Sequence, residues 1–407
     1  MNIIFIEPAF PPNQRDFVRG LAAAGATVIG IGERPVDHLD QELRDWMLHY
    51  EQIANVTDVG SLVEAVRFAQ SKVWVDALES TIEAHTMAAA HAREACGIPG
   101  TSVRTAYLCR DKPAMKAALR EVGIATAQST GASSAAEVRA FVEGVGYPII
   151  LKPRAAAGAS GTTRVNSDEE LDRALAALGE SGAADVAVEE FVEGHEGFYD
   201  TISIDGTPVY DFISHYYPNV LEAMRERWIS PQFIATNRVD TVADYQQVRD
   251  LGLRAIEALG IGTSATHMEW FFGPKGLRFS EIGCRPPGVR AWDLYAAGND
   301  IDIYREWANA IVHHGVERPL SRRRAAGIVA LRPDRDGMIT HYEGLESIQS
   351  QFGEWILDTH LPGSGTPTQP VEAGYMANAW VRMAHPDYDT VHHMLDVVGE
   401  TVHVHAS

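Results

Sequence analysis

The chain has 407 residues, 45% of them apolar, a formal net charge of −21 and three cysteines. That acidic balance argues against a nucleic-acid partner or an anionic membrane surface reached through bulk electrostatics. Cys96, Cys109 and Cys284 form no CxxC pair, which argues against a disulfide framework or a structural zinc site.

The opening MNIIFIEPAF has no basic n-region and too short an apolar run for a signal peptide. No stretch reaches the roughly 20 apolar residues of a membrane span, so a cytoplasmic protein is expected. Residues 2–6 (NIIFI) read as a buried strand, 13–24 as a helix, 27–31 and 73–78 as further strands, and 81–96 as a helix. Strands alternating with helices predict a parallel, doubly wound α/β unit. A helix follows CRDK (109–112). YPIILKP (147–153) reads as a strand, followed by a run of small residues (155–163) that ends in a short strand (163–165). A helix over 167–178 opens on a capping-box pattern, SDEE. Strands are expected at 186–191 and 197–204, and a helix at 245–259. Two strands, 267–272 and 277–283, flank a Gly-Pro-Lys-Gly turn. A helix at 301–313 precedes a C-terminal stretch with strands at 325–331, 355–359 and 375–383 and a helix at 388–398.

Three segments carry chemistry. In the hairpin, side chains alternate faces: His267, Glu269 and Phe271 share one face, and Phe279, Glu281, Gly283 and Arg285 share another. A turn of odd length centred on Lys275 would set Glu269 opposite Glu281 and His267 opposite Gly283, whereas an even loop would break that pairing. Two opposed carboxylates repel each other and call for protonation, a basic neighbour or a cation. Oxygen ligands completed by phosphate and water suit Mg²⁺. On its own, the hairpin equally fits a solvent-facing edge with two unrelated acids. The AGASG stretch (157–161) would let backbone amides approach phosphates, but it is not a Walker A loop and also fits a plain hairpin tip. Lys152, one of only five lysines, leaves an apolar strand just before it. Its charge needs a partner there, such as a phosphate, unless it snorkels from an edge. The third segment, VEEFVEGHE (188–196), reads as a hinge whose backbone meets a base edge, or as an acidic turn.

In this order the segments resemble the ATP-grasp superfamily of carboxylate ligases over essentially the whole chain. They look most like the L-amino acid ligases, the bacterial dipeptide synthetases, with carboxylase branches sharing the outline. The resemblance implies an α/β ATP-grasp fold: an N-terminal Rossmann-like domain (1–105), a central ATP-binding unit (106–315) whose lid spans about 148–204, and a small α+β C-terminal domain (316–407). It also implies roles. Lys112 and Lys152 would contact ATP phosphates beneath a lid that includes Ser160 and Gly161. Glu189 would receive the adenine amino group, the backbones of Phe191 and Val192 the purine edge, and Glu196 the ribose. Glu269 and Glu281 would hold Mg²⁺, and Arg285 would steady the transferring phosphoryl group. The reaction expected is amide formation between carboxylate and amine substrates, amino acids by preference, in a possible homodimer. Bicarbonate as acceptor and a non-catalytic nucleotide-binding protein are the alternatives.

One departure stands out. The family pattern Glu-x-Asn-x-Arg reads Glu281-Ile-Gly283-Cys-Arg285 here. Water could fill the missing asparagine's place, the second metal could bind weakly, or His267 could reach in, which would favour Mn²⁺. Gly288 and Arg290 are further candidate substrate neighbours. Arg225, Arg227 and Arg238 could bind phosphate or a carboxylate, and Trp228 and Trp292 could line a pocket or pack in the core. Cys284 reads as a core cysteine. The pairs His313-His314 and His392-His393 read as helix surface. His403 and His405 read as an exposed strand end or, less simply, a metal clip.

Overall fold

The computed structural model describes residues 1–153, 161–180, 185–224, 226–371 and 378–407. Four sheets organise the described residues. In the first, the apolar strand Asn2–Ile6 lies between Thr27–Gly32 and Ala77–Glu79 in parallel register, with Met47–Gln52 at the edge. Ile3, Ile4, Phe5 and Ile6 are fully buried, as a parallel strand covered on both faces requires. The last of these strands is shorter than the sequence suggests. The helix expected at 81–96 begins as a 3₁₀ turn, Glu83–His85, ahead of Thr86–Cys96.

Eight strands build the central antiparallel sheet. The hairpin Ser264–Gly273 and Gly276–Gly283 forms its edge, followed by His195–Ile204, Thr207–Tyr217 and Gln232–Ala235. Three strands from the C-terminal stretch, Ala325–Leu331, Ala379–His385 and Ile356–His360, complete it. The expected boundary at 316 therefore falls within one continuous sheet. Phe17 on the helix Gln14–Ala23 packs against Trp292, Tyr304 and Trp307 at ring separations of 5.0–5.1 Å, which seats the N-terminal unit on this sheet's helical layer. Trp292 is thus a core residue, whereas Trp228 is 80% exposed.

The third sheet is a small antiparallel one: Ser129–Ala132, Val186–Glu190, Ile149–Pro153 and Thr163–Val165, in that order. Three of its strands fall within the 148–204 span expected for a lid, whereas Ser129–Ala132 precedes that span and His195–Ile204 belongs to the central sheet. Most of the glycine-rich stretch, Ser160 included, lies outside the described residues, as do Arg225 and the start of the strand expected at 375. The fourth sheet pairs Ile339–Glu343 with His403–Ala406. His405 stacks on His341 at 4.4 Å and lies 3.3 Å from Glu343. Among the described residues no three His, Cys, Asp or Glu side chains gather to hold a metal, here or elsewhere. Nor is any described helix long and apolar enough to cross a membrane.

Candidate functional site

The hairpin keeps the expected pairing by a different route. Glu269 is opposite Glu281 and His267 opposite Gly283. The turn is even, with Gly273 pairing Gly276, so strict alternation from the turn would have missed this register. A bulge corrects it: Trp270 pairs with Phe279, and Ser280 is the extra residue. Both acids face a cavity of about 400 Å³, a size suited to a small organic ligand.

The cavity's other wall is the segment that follows Val186–Glu190. Gly194 has φ 156°, and a Cβ there would stand 2.6 Å from the Phe272 carbonyl oxygen. A Cβ on Gly273 would stand 2.1 Å from the Glu193 carbonyl oxygen. Glycine at both positions lets the hinge backbone touch the hairpin. Phe191 donates its amide to the Pro148 carbonyl at 3.1 Å. The Val192 amide has no acceptor among the described residues and lines the cavity. The Arg164 guanidinium lies 4.0 Å over the Phe191 ring. Glu196 also lines the cavity; it accepts the Val220 amide at 2.7 Å, and burial, with Glu269 adding to it, pushes its carboxyl up to about 8.

Three lysines meet this acidic surface. Lys152 Nζ lies 2.9 Å from Glu189 Oε2 and 4.0 Å from Glu281 Oε2. Lys112 Nζ lies 3.2 Å from Glu281 but does not line the cavity. Lys116, which the sequence reading passed over, is 1% exposed, lines the cavity and lies 2.7 Å from Glu189 Oε1. It sits four residues after Lys112 on the helix Lys112–Glu121, hence on the same face. A second scarce lysine at that spacing was the available signal. Burial drives Lys116 down to about 8. Burial also works against the charge on Lys152, but Glu189 and Glu281 outweigh it and hold Lys152 above the usual lysine range. Burial favours protonated Glu281, yet Lys112 and Lys152 bring it below the usual carboxylate range. Glu189 is therefore committed to two ammonium groups in this state rather than open to an adenine amine.

Glu189 sets a pH dependence. Burial raises its pKa, but Lys116 and Lys152 reverse that and hold it at about 2, against an ordinary 4.5. The depressed value means that the ionised pair stabilises the fold fully above pH 4.5 and loses that contribution as pH falls towards 2. The magnitude is on the order of 3 kcal/mol. In urea unfolding between pH 5 and 3, the stability gap between wild type and Glu189→Gln is expected to shrink with acidification. A constant gap would refute the pairing.

His267 lies beside Glu269 but is engaged elsewhere. Its Nδ1 is 2.7 Å from Asp200 Oδ1, its Nε2 is 3.7 Å from Glu269 Oε1, and Tyr295 donates to the other Asp200 oxygen. Burial opposes its charge, yet Asp200 and Glu269 push it up to about 9. An imidazolium has no lone pair for a metal, so in this state His267 is a counter-charge. Arg285 stands outside the cavity lining and donates Nε to Glu83 at 2.8 Å. Arg290 pairs with Asp293 at 2.5 Å, Arg227 with Asp336 at 2.7 Å and Arg238 with Asp389 at 2.7 Å. A Cβ on Gly288 would meet open space, and the left-handed turn falls instead on Val289 and Arg290, at φ 47° and 59°. Gly161, exposed at φ 71°, lies at the near end of the lid stretch. Cys284 is buried.

Glu269 and Glu281 fit a hard cation. Two carboxylates share one face of the cavity, with room for a ligand that would supply further oxygens, as Mg²⁺ requires.

Cations and paired acids lie between the third, small sheet and the antiparallel hairpin, and residues 117–297 match the ATP-grasp domain family. Lys152, the 188–196 hinge, both hairpin acids and Arg285 lie within the match; Lys112 and Lys116 lie just before it. The chain is 26% identical over 369 residues to the L-arginine-specific L-amino acid ligase of Bacillus subtilis, covering 88% of this chain and 87% of that one. Its fold superposes on the L-amino acid ligase from Bacillus licheniformis with a TM-score of 0.79, at 17% identity, over 100% of this chain and 98% of that one. Against the N5-carboxyaminoimidazole ribonucleotide synthetase of Thermotoga maritima the TM-score is 0.72, at 16% identity, over 100% and 99%.

Proposed function

We propose that the protein is an ATP- and Mg²⁺-dependent ligase that joins a carboxylate to an amine through an acyl phosphate, releasing ADP and phosphate. The observation that carries this is the meeting, in one cavity, of Lys116 and Lys152, the opposed pair Glu269 and Glu281, and the 188–196 hinge. The named activities of the two Bacillus relatives support amino acids as both substrates.

A carboxylate is a poor electrophile at neutral pH, and phosphorylation supplies the leaving group it lacks. Catalysis then consists mainly of positioning and charge neutralisation. In this reading the Val192 amide and the hinge carbonyls seat the base edge. Lys116 and Lys152 exchange Glu189 for the phosphates, Glu196 holds the ribose, and Lys112 keeps Glu281 ionised. Mg²⁺, held by Glu269 and Glu281, would neutralise phosphate charge. Arg285 steadies the oxygens of the acyl and phosphoryl groups as they change partners. The lid, with Ser160 and Gly161, would exclude water that would otherwise hydrolyse the acyl phosphate. A cytoplasmic location and a homodimer belong to the same proposal.

The test is ADP release with ATP, Mg²⁺ and amino-acid pools, followed by mass spectrometry. Amino-acid-dependent ADP release with a new amide mass is the expected result. ADP release that depends on bicarbonate alone would reassign the acceptor, and nucleotide binding without turnover would overturn the ligase reading.

A further inference from the structure

Gly283 stands where the ATP-grasp pattern places asparagine, and another residue takes up the room. A Cβ on Gly283 would stand 3.2 Å from Glu83 Oε2 and 3.5 Å from Arg285 Cγ. The backbone does not call for glycine: Gly283 ends its strand opposite His267, past the bulge at Ser280, and is not among the left-handed glycines. A Cβ here would press by a few tenths of an ångström on the Glu83 carboxylate, and a longer side chain would have to displace it from Arg285.

Glu83 comes from the N-terminal unit, 202 residues away from Arg285 in the chain. It opens the 3₁₀ turn just beyond the strand Ala77–Glu79, where a parallel sheet presents its functional loops. Its backbone carbonyl is fixed by two donors, Arg110 Nη1 at 2.8 Å and Thr86 Oγ1 at 2.9 Å. From that anchor its side chain accepts Arg285 Nε at 2.8 Å. Arg285 gives Nη1 to the Pro286 carbonyl at 2.8 Å. Nη2 has no acceptor among the described residues and is the donor left for a ligand oxygen.

We propose that Glu83 is a positioning residue for Arg285, and that Gly283 is glycine so that the N-terminal unit can reach this arginine. The missing asparagine is then an exchange of function rather than a gap in a metal shell: the space serves the arginine instead of a second cation. The arrangement also makes the N-terminal unit part of the active site, because the loop after its last strand sets the plane of the guanidinium. The inference rests on the ligase reading for the role of Arg285.

Four variants test it: Glu83→Ala, Glu83→Gln, Gly283→Asn and the double Glu83→Ala/Gly283→Asn. ADP release is measured with whichever acceptor the wild type turns over, and MgATP affinity by calorimetry. Glu83→Ala is expected to lower kcat by about 10- to 100-fold, the scale of a small misplacement at a reacting centre, with MgATP affinity within about threefold of wild type. Glu83→Gln, which keeps an oxygen acceptor for Nε–H, is expected to recover most of the loss, which a merely structural role would not predict. Gly283→Asn is expected to match Glu83→Ala, and the double variant to be no worse than either single one. Wild-type kcat in Glu83→Ala would overturn the proposal. So would a Gly283→Asn enzyme that is fully active with altered Mg²⁺ and Mn²⁺ preference. Wild-type turnover with bicarbonate but no amine defeats the ligase reading while leaving these comparisons readable. No turnover with any acceptor defeats both.

Discussion

Lys152→Ala is expected to lower ADP release by about 100- to 1,000-fold, the usual consequence of removing a preorganised donor from developing negative charge. Lys152 is the cation that touches both halves of the site, at 2.9 Å from Glu189 and 4.0 Å from Glu281. Its strand, Ile149–Pro153, belongs to the third sheet and pairs directly with Val186–Glu190, Lys152 opposite Ala187. The ammonium is thus held by backbone register rather than by a flexible loop. Its removal leaves Glu189 with Lys116 alone, so part of any loss could come from a weakened fold. Lys152→Ala/Glu189→Gln separates the two effects. It removes the buried carboxylate along with one of its cations, and is expected to recover thermal stability without recovering turnover. Return of ADP release in the double variant would assign Lys152 a structural role only.

Glu281→Ala is expected to abolish the Mg²⁺-dependent gain in ATP affinity and to reduce turnover by at least about 100-fold. The opposed carboxylates Glu269 and Glu281 repel each other in a sheet, and the site tolerates them because Lys112 and Lys152 answer Glu281 while His267 answers Glu269. Removing Glu281 takes one carboxylate away from Lys112 and Lys152. Metal-free ATP should therefore bind Glu281→Ala at least as tightly as it binds wild type, while added Mg²⁺ no longer helps. Calorimetry with and without Mg²⁺ reads both effects. A variant that keeps the full Mg²⁺ enhancement would remove Glu281 from the cation site.

The sequence carried the outline of this site because its parts are local. Hairpin parity placed Glu269 against Glu281, and Lys152 stood out in an apolar strand. The parity argument reached the right pairing from a wrong turn length. The turn has two residues, and the bulge at Ser280 restores the register, which alternation alone does not reveal. The strand Thr207–Tyr217 was missed although its signal was present: Asp205-Gly206, both at positive φ (50° and 82°), make the two-residue turn that joins it to His195–Ile204. The Ser167 capping box was half right. Ser167 caps the Glu170 amide at 3.3 Å, but Glu170 reaches back to the amide of Asn166, at 2.7 Å. What was not legible is what depends on distant segments meeting. The C-terminal strands extend the central sheet because their apolar faces need a partner, and no local pattern says which. The contact between Glu83 and Arg285 and the burial of Lys116 against Glu189 arise the same way, from segments brought together only by the fold.

The central claim is that this cavity activates a carboxylate by phosphorylation. The direct measurement is isotope transfer from an ¹⁸O-labelled carboxylate substrate during amide synthesis. The account predicts one ¹⁸O per turnover in the released phosphate, since the acyl phosphate's bridging oxygen leaves with the phosphoryl group. Amide formation with no label in phosphate would contradict it.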